Sequence, residues 1–131
     1  MTPGTFLLGI YDDGLLKLDT KSNRIERIKL DMSNIDILSF FKDNDGTMWI
    51  GAEYGIYTYK DGVIRKEEDI IRELSDKSIY GILRDRQGRL WMGSYGGRIT
   101  IFDKDYKVVT RLDHSNGFKT NGITDLFMDS Q

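Results

Sequence analysis

The chain has 131 residues, 39% of them hydrophobic and 31% charged, a balance that predicts a folded domain rather than a disordered one. Nineteen Lys and Arg against 21 Asp and Glu leave a formal charge of −2 with no long run of one sign, so nothing in the sequence is a footprint for nucleic acid or for direct membrane contact. The absence of cysteine excludes disulfides, thiol catalysis and zinc–thiolate sites.

The N-terminus, Met1-Thr-Pro-Gly-Thr-Phe-Leu-Leu-Gly9, lacks a basic n-region and a long apolar core, and is read as no signal peptide. No stretch approaches the ~20 apolar residues of a membrane span, so export or anchoring segments would lie outside this chain. Fourteen glycines beside the single Pro3 suit short strands joined by tight turns.

Thr5–Gly9 is read as a strand, and Gly9 has counterparts at Gly51 and Gly93, spaced by 42 residues. Around the second copy stands Asp43-Asn-Asp-Gly46-Thr-Met-Trp49-Ile-Gly51, and around the third Asp85-Arg-Gln-Gly88-Arg-Leu-Trp91-Met-Gly93. Asp, Gly, Trp and Gly recur at the same offsets in both. The first copy keeps only the later half, with Leu7 at the tryptophan position.

In the second copy Ile35–Lys42, Thr47–Gly51, Ile56–Tyr59 and Val63–Lys66 are read as strands, the last two joined by the hairpin signal Asp61-Gly62. Glu67–Leu74 breaks the pattern: Ile70, Ile71 and Leu74 stand at helical spacing, which leaves a short helical turn and a loop both open. In the third copy the strands are Ser78–Arg84, Arg89–Gly93, Arg98–Phe102 and Tyr106–Leu112. A fourth copy opens at Ile123–Asp129.

Four short strands per ~40–45 residues is the signature of a propeller blade. The expected fold is therefore all-β, a β-propeller fragment of about three four-stranded antiparallel blades. Its parts are a partial blade entered at its second strand (5–34), two blades (35–77 and 78–120) and the first strand of a fourth (121–131).

Trp49 and Trp91 are expected to fill the space between adjacent sheets, in equivalent buried places. Gly51 and Gly93 are expected where a side chain would obstruct the following turn. The pairs Asp43/Gly46 and Asp85/Gly88 are read as turns, because the ligand spacing of a helix–loop–helix calcium site fails: its first position falls on Phe41 and its closing position on Ala52. His114, the only histidine, stands in a polar loop beside Asp113 and Ser115. Adjacent residues of one loop do not orient one another as nucleophile, base and orienter, so it is read as solvated. Arg65–Asp69 is read as a solvated charged face. No catalytic residues, metal site or cofactor are expected.

The candidate ligand-binding residues lie in the loop after each second strand: Tyr11, Asp12 and Asp13, then Glu53 and Tyr54, then Ser94 and Tyr95. In a propeller these loops share one face, so each blade offers a tyrosine and a polar group to one rim. The alternative is that the tyrosines only cover blade edges.

The pattern Gly46-Thr-Met-Trp-Ile-Gly51, Gly88-Arg-Leu-Trp-Met-Gly93 and Gly93-Ser-Tyr-Gly-Gly-Arg-Ile-Thr-Ile-Phe-Asp103 resembles the two-component regulator propeller repeat; Gly9–Asp19 fits with Leu18 in the aromatic position. The resemblance implies a non-catalytic sensor: the periplasmic part of a membrane-anchored two-component regulator of Bacteroides type, sensing oligosaccharides. Kinase or other output modules would lie elsewhere in the parent protein. A scaffold for protein contacts and, less so, a propeller lyase are the alternatives. A glycan is the expected ligand. For the fragment itself head-to-tail association of copies is expected, with Ile123–Asp129 of one completing the blade begun at Thr5–Gly9 of the next.

Overall fold

The strands form where apolar residues alternate between short polar turns, and the turns fix their register. In the computed structural model, which describes residues 4–10, 14–31, 35–113, 115 and 125–128, eleven strands and one helix follow in order. Strands β1 (Thr5–Ile10), β2 (Gly14–Asp19) and β3 (Arg24–Ile28) make a three-stranded antiparallel sheet. Strands β4 (Ile37–Lys42), β5 (Met48–Ala52), β6 (Gly55–Lys60) and β7 (Val63–Lys66) make a four-stranded meander. After helix α1 (Glu68–Glu73), strands β8 (Ile79–Arg84), β9 (Leu90–Ser94), β10 (Ile99–Phe102) and β11 (Val108–Leu112) make another.

The fold is thus nearly all β, three propeller-like sheets with no closed barrel. Of the expected fourth copy only 125–128 is described, and it carries no strand.

Two turn chemistries set the hairpins. Asp61 and Gly62 both take positive φ (51° and 80°), the two-residue hairpin that their sequence predicts. The Asp-x-x-Gly turns are longer. Asp43 N–H donates to Thr47 O (2.8 Å) and Gly46 N–H to Asp43 O (3.1 Å); Asp85 and Gly88 repeat this with Arg89. Gly46 and Gly88 occupy the left-handed position (φ 88° and 83°).

The same hydrogen-bonding pattern closes Asp103–Lys107, but there the left-handed residue is Tyr106, at φ 62°. Tyr106 was expected to open the last strand; it sits in the turn instead, and β11 begins at Val108. A side chain at positive φ costs about 1–2 kcal/mol.

The sheets stack through apolar faces set by strand alternation. Leu15, Ile50, Ala52, Tyr57 and Tyr59 fill the seam between the first and second sheets. Trp49, Ile56, Ile82, Leu90, Met92 and Phe102 fill the seam between the second and third, closed at one end by Ile70, Ile71 and Leu74 from α1 and its exit. The sequence of that segment is compatible with helix or loop; burial of its three apolar residues, with α1 packed on β6, favours the helix.

The glycine two residues after Trp49 and its counterpart in the first sheet, Gly9, mark close approaches. A Cβ on Gly51 would stand 2.5 Å from the Ile79 carbonyl oxygen and also meet Ser39 Oγ; one on Gly9 would stand 2.7 Å from Ile37 Cβ. Ile37 and Ile79 are themselves 42 residues apart. At Gly51 the obstruction is therefore Ser39 of β4 and the first strand of the next sheet, not the following turn that the sequence suggests. Ser39 Oγ donates to the same Ile79 carbonyl (2.8 Å).

Candidate functional site

The recurring Asp does more than shape a turn. Asp43 Oδ2 accepts the indole N–H of Trp49 (3.0 Å), and Asp85 Oδ2 accepts that of Trp91 (2.8 Å). The offset of six residues lets a hairpin fold back so that its entrance carboxylate meets the ring of its return strand.

Asp43 also reaches the next sheet. Arg84 Nε lies 2.9 and 3.0 Å from the two carboxylate oxygens, and a terminal guanidinium nitrogen lies 2.9 Å from Oδ2. The other terminal nitrogen donates to Gly88 O (2.8 Å). Both charged side chains are largely buried. Burial alone would raise the Asp43 pKa; Arg84, the Asn44 N–H and Trp49 outweigh it and hold it below the ordinary carboxylate value. Asp43, Trp49 and Arg84 form a polar lock across the seam.

The third sheet holds the same unit without the cross-sheet arginine. Asp85 accepts Trp91, the Arg89 and Gln87 backbone N–H groups and the Arg89 guanidinium (2.7 Å). Burial pushes its pKa up, but these donors outweigh burial and bring it down to about 2. A depressed folded-state pKa gives stability that is present above the ordinary value of 3.8 and is lost as pH falls through about 2. Asp85 should contribute on the order of 2 kcal/mol at neutral pH, and Asp85→Asn should flatten the acid limb of unfolding followed by circular dichroism. An unchanged acid limb would remove Asp85 as its source.

Trp49 is buried, whereas Trp91 is only partly buried beside Ile99, Ile101, Leu112 and Leu126. The two tryptophans, expected in equivalent buried places, are therefore not equally buried. Trp49 points toward the third sheet and meets its β9–β10 face, while among the described residues no sheet covers Trp91.

The rim candidates divide. Tyr11, Asp12 and Asp13 lie outside the described residues, as does His114. Glu53 and Tyr54 form the β5–β6 turn, and Ser94 and Tyr95 lead into the β9–β10 turn. Glu53 N–H donates to Asp36 O and Tyr95 N–H to Ser78 O, both at 3.0 Å, so the two loops are anchored identically, one repeat apart. Ser78 Oγ donates back to Glu53 O (2.6 Å), tying the connection before one sheet to the loop of the previous one. Asp76 holds the Gly96 and Ser78 N–H groups at 2.6 and 3.1 Å.

On this frame Tyr54 and Tyr95 remain 55% and 63% exposed. Tyr95 leans on Tyr80 of β8, with ring centroids 5.7 Å apart and planes tilted by 40°. No periodic signal marks Tyr80, because the equivalent residue one repeat earlier is Leu38.

A second clamp was also invisible in sequence. Asp31, before β4, accepts the hydroxyl of buried Tyr57 (2.5 Å) and the ammonium of Lys66 (2.7 Å). Lys66 chiefly, then Tyr57, lowers the Asp31 pKa, and burial with the adjacent carboxylate raises that of Tyr57. No group of three or more His, Asp or Glu side chains that could hold a metal occurs among the described residues. No described helix is long and apolar enough to cross a membrane.

Residues 31–54 and 73–96 match the family model of the two component regulator propeller. Among solved structures, the extracellular domain assigned to a hybrid two component system of B. thetaiotaomicron superposes with a TM-score of 0.86 at 23% identity, over 99% of this chain and 18% of that one. A second ectodomain from B. thetaiotaomicron gives 0.71 at 22% identity, over 96% and 18%. The virginiamycin B lyase of Staphylococcus aureus gives 0.56 at 19% identity, over 82% and 40%. At these identities the likeness shows the fold, and the chain spans less than a fifth of the ectodomains it matches. No curated protein matches.

Proposed function

We propose that this chain, which carries repeats of the two component regulator propeller family, is part of a periplasmic sensor region that binds oligosaccharides and passes the signal to an output module elsewhere in its parent protein. The observation that carries the reading is the family match on two successive repeats, joined to the superposition on sensor ectodomains. The chemistry of the rim agrees with it. Exposed tyrosines on rigidly anchored loops offer ring faces to sugar C–H groups, with Glu53 beside them as a hydrogen-bond acceptor. The protein would work without catalysis, its partner a glycan.

Calorimetric titration of the intact sensor with a panel of oligosaccharides tests this. Tyr54→Ala and Tyr95→Ala should each weaken the best ligand by roughly 1–3 kcal/mol if they are central contacts. A sensor whose output responds to a stimulus while no saccharide binds would sink the reading.

The lyase alternative rests on the shared fold alone. A histidine-to-alanine variant of the S. aureus lyase is described as catalytically inactive, and the single histidine of this chain, His114, lies outside the described residues. Turnover of a streptogramin by this chain would decide for the enzyme.

The apolar outer faces bear on association. Phe6 and Leu8 stand 84 residues before Leu90 and Met92, which cover Trp49, and both are exposed, as is Ile25 beside them. One end of the stack thus presents the kind of surface that Trp91 lacks at the other. Copies of this chain should associate head to tail, Phe6 and Leu8 of one against Trp91 of the next. Light scattering should show dimers or larger species that Phe6→Glu dissolves; a monomer at high concentration would overturn it.

A further inference from the structure

A groove of about 680 Å³ lies between the second and third sheets, within the size range of small-molecule sites. It is built from other loops than the tyrosine rim: the β4–β5 turn, the β6–β7 hairpin and the β10–β11 turn all reach its walls, with Asn44, Asp45, Lys60, Arg65, Glu67 and Tyr106 among them.

Three observations bear on what would fill it. Its lining carries four cationic and four anionic side chains, so it holds no field of one sign to select an ion. Those groups, with the Asn44 amide and the hydroxyls of Thr47 and Thr58, place donors and acceptors side by side; Lys60 and Asp45 pair at 3.3 Å. That mixture suits a neutral ligand dense in hydroxyls, each of which both gives and takes a hydrogen bond.

The third observation is Tyr106. It holds the left-handed position that glycine holds at Gly46 and Gly88, so its side chain is kept there against the backbone's preference. Its ring stands 5.9 Å from that of Trp49, tilted by 54°; both rings line the groove, and Tyr106 remains 45% exposed. A half-exposed ring held beside a second aromatic ring can serve as a stacking platform.

We infer that this groove is a saccharide subsite, in which a neutral sugar ring stacks on Tyr106 while Asn44 and the Lys60–Asp45 pair take its hydroxyls. The inference rests on the oligosaccharide reading above and adds a second place of contact, distinct from the rim.

The test is Tyr106→Gly, a substitution that removes the platform and suits the backbone, with folding checked by circular dichroism. Neutral oligosaccharides are titrated calorimetrically into the intact sensor and into this variant, alongside the Tyr54→Ala, Tyr95→Ala double variant. A loss of tenfold or more in affinity for Tyr106→Gly, with the fold retained, supports the subsite. Unchanged affinity in Tyr106→Gly, with loss in the rim variant, overturns the subsite and leaves the oligosaccharide reading standing. Binding of no saccharide by the intact sensor overturns both. If Tyr106→Gly fails to fold, Asn44→Ala and Lys60→Ala replace it under the same criteria.

Discussion

Asp43→Ala should destabilise the protein by about 3–5 kcal/mol in urea unfolding, a large part of the ~5–15 kcal/mol that holds a domain together. The carboxylate is the partner of a largely buried guanidinium and of a buried indole N–H, so its removal strands two donors in the seam between the second and third sheets. The cost arises from what is left behind rather than from the strength of the pair. Two further variants check that account. Asp43→Asn keeps an acceptor for Trp49 and should cost less. Adding Arg84→Met to Asp43→Ala should recover part of the loss, because the unpaired charge is then gone. A loss below about 1 kcal/mol for Asp43→Ala would mean that water enters the seam and satisfies Arg84.

Gly51→Ala should be comparably severe, at about 2–4 kcal/mol, although it adds one methyl group to a strand. In an ordinary strand alanine is slightly favoured over glycine. Here the new Cβ would stand 2.5 Å from a backbone carbonyl of the next sheet and also strike Ser39 Oγ, whose bond to that carbonyl it would disrupt. Backbone cannot rotate aside as a side chain can, so the two sheets must separate. Gly62→Ala is a useful contrast, since open space surrounds its Cβ and only its positive φ opposes the change. If Gly51→Ala unfolds at the same urea concentration as the parent, the close approach is not rigid.

The periodic features of the fold are legible in the sequence, and the contacts between copies are not. The 42-residue spacing is the recurrence of one short motif, and the Asp-x-x-Gly turns and the Asp61-Gly62 hairpin each depend on residues near one another in the chain, so these signals survive in a single sequence. Arg84 meets Asp43 across 41 residues, and its counterparts in the repeat are Lys42 and Leu126. Nothing periodic marks it. The reason for Gly51 is hidden likewise, because the atom that excludes a side chain belongs to Ile79.

Tyr106 shows the reverse difficulty. Aromatic and followed closely by Val108, Val109 and Thr110, it reads as the opening of a strand, whereas the bonds from Asp103 N–H to Lys107 O and from its own N–H to Asp103 O place it in a turn. At the rim, Glu53, Tyr54 and Tyr95 were legible because their loops recur, while Tyr80 joins Tyr95 from a position that does not.

The forward direction of Trp49 has a consequence for synthesis. Trp49 is covered by residues of β9 and β10, which leave the ribosome more than forty residues later. At roughly 5–20 residues per second, the second sheet therefore waits for seconds with its most apolar face open. The Asp43–Trp49 bond is the part of the lock that lies within one hairpin, and it can form before the third sheet exists. It gives the indole N–H a partner during that interval, and Arg84 then arrives at a carboxylate already held in place.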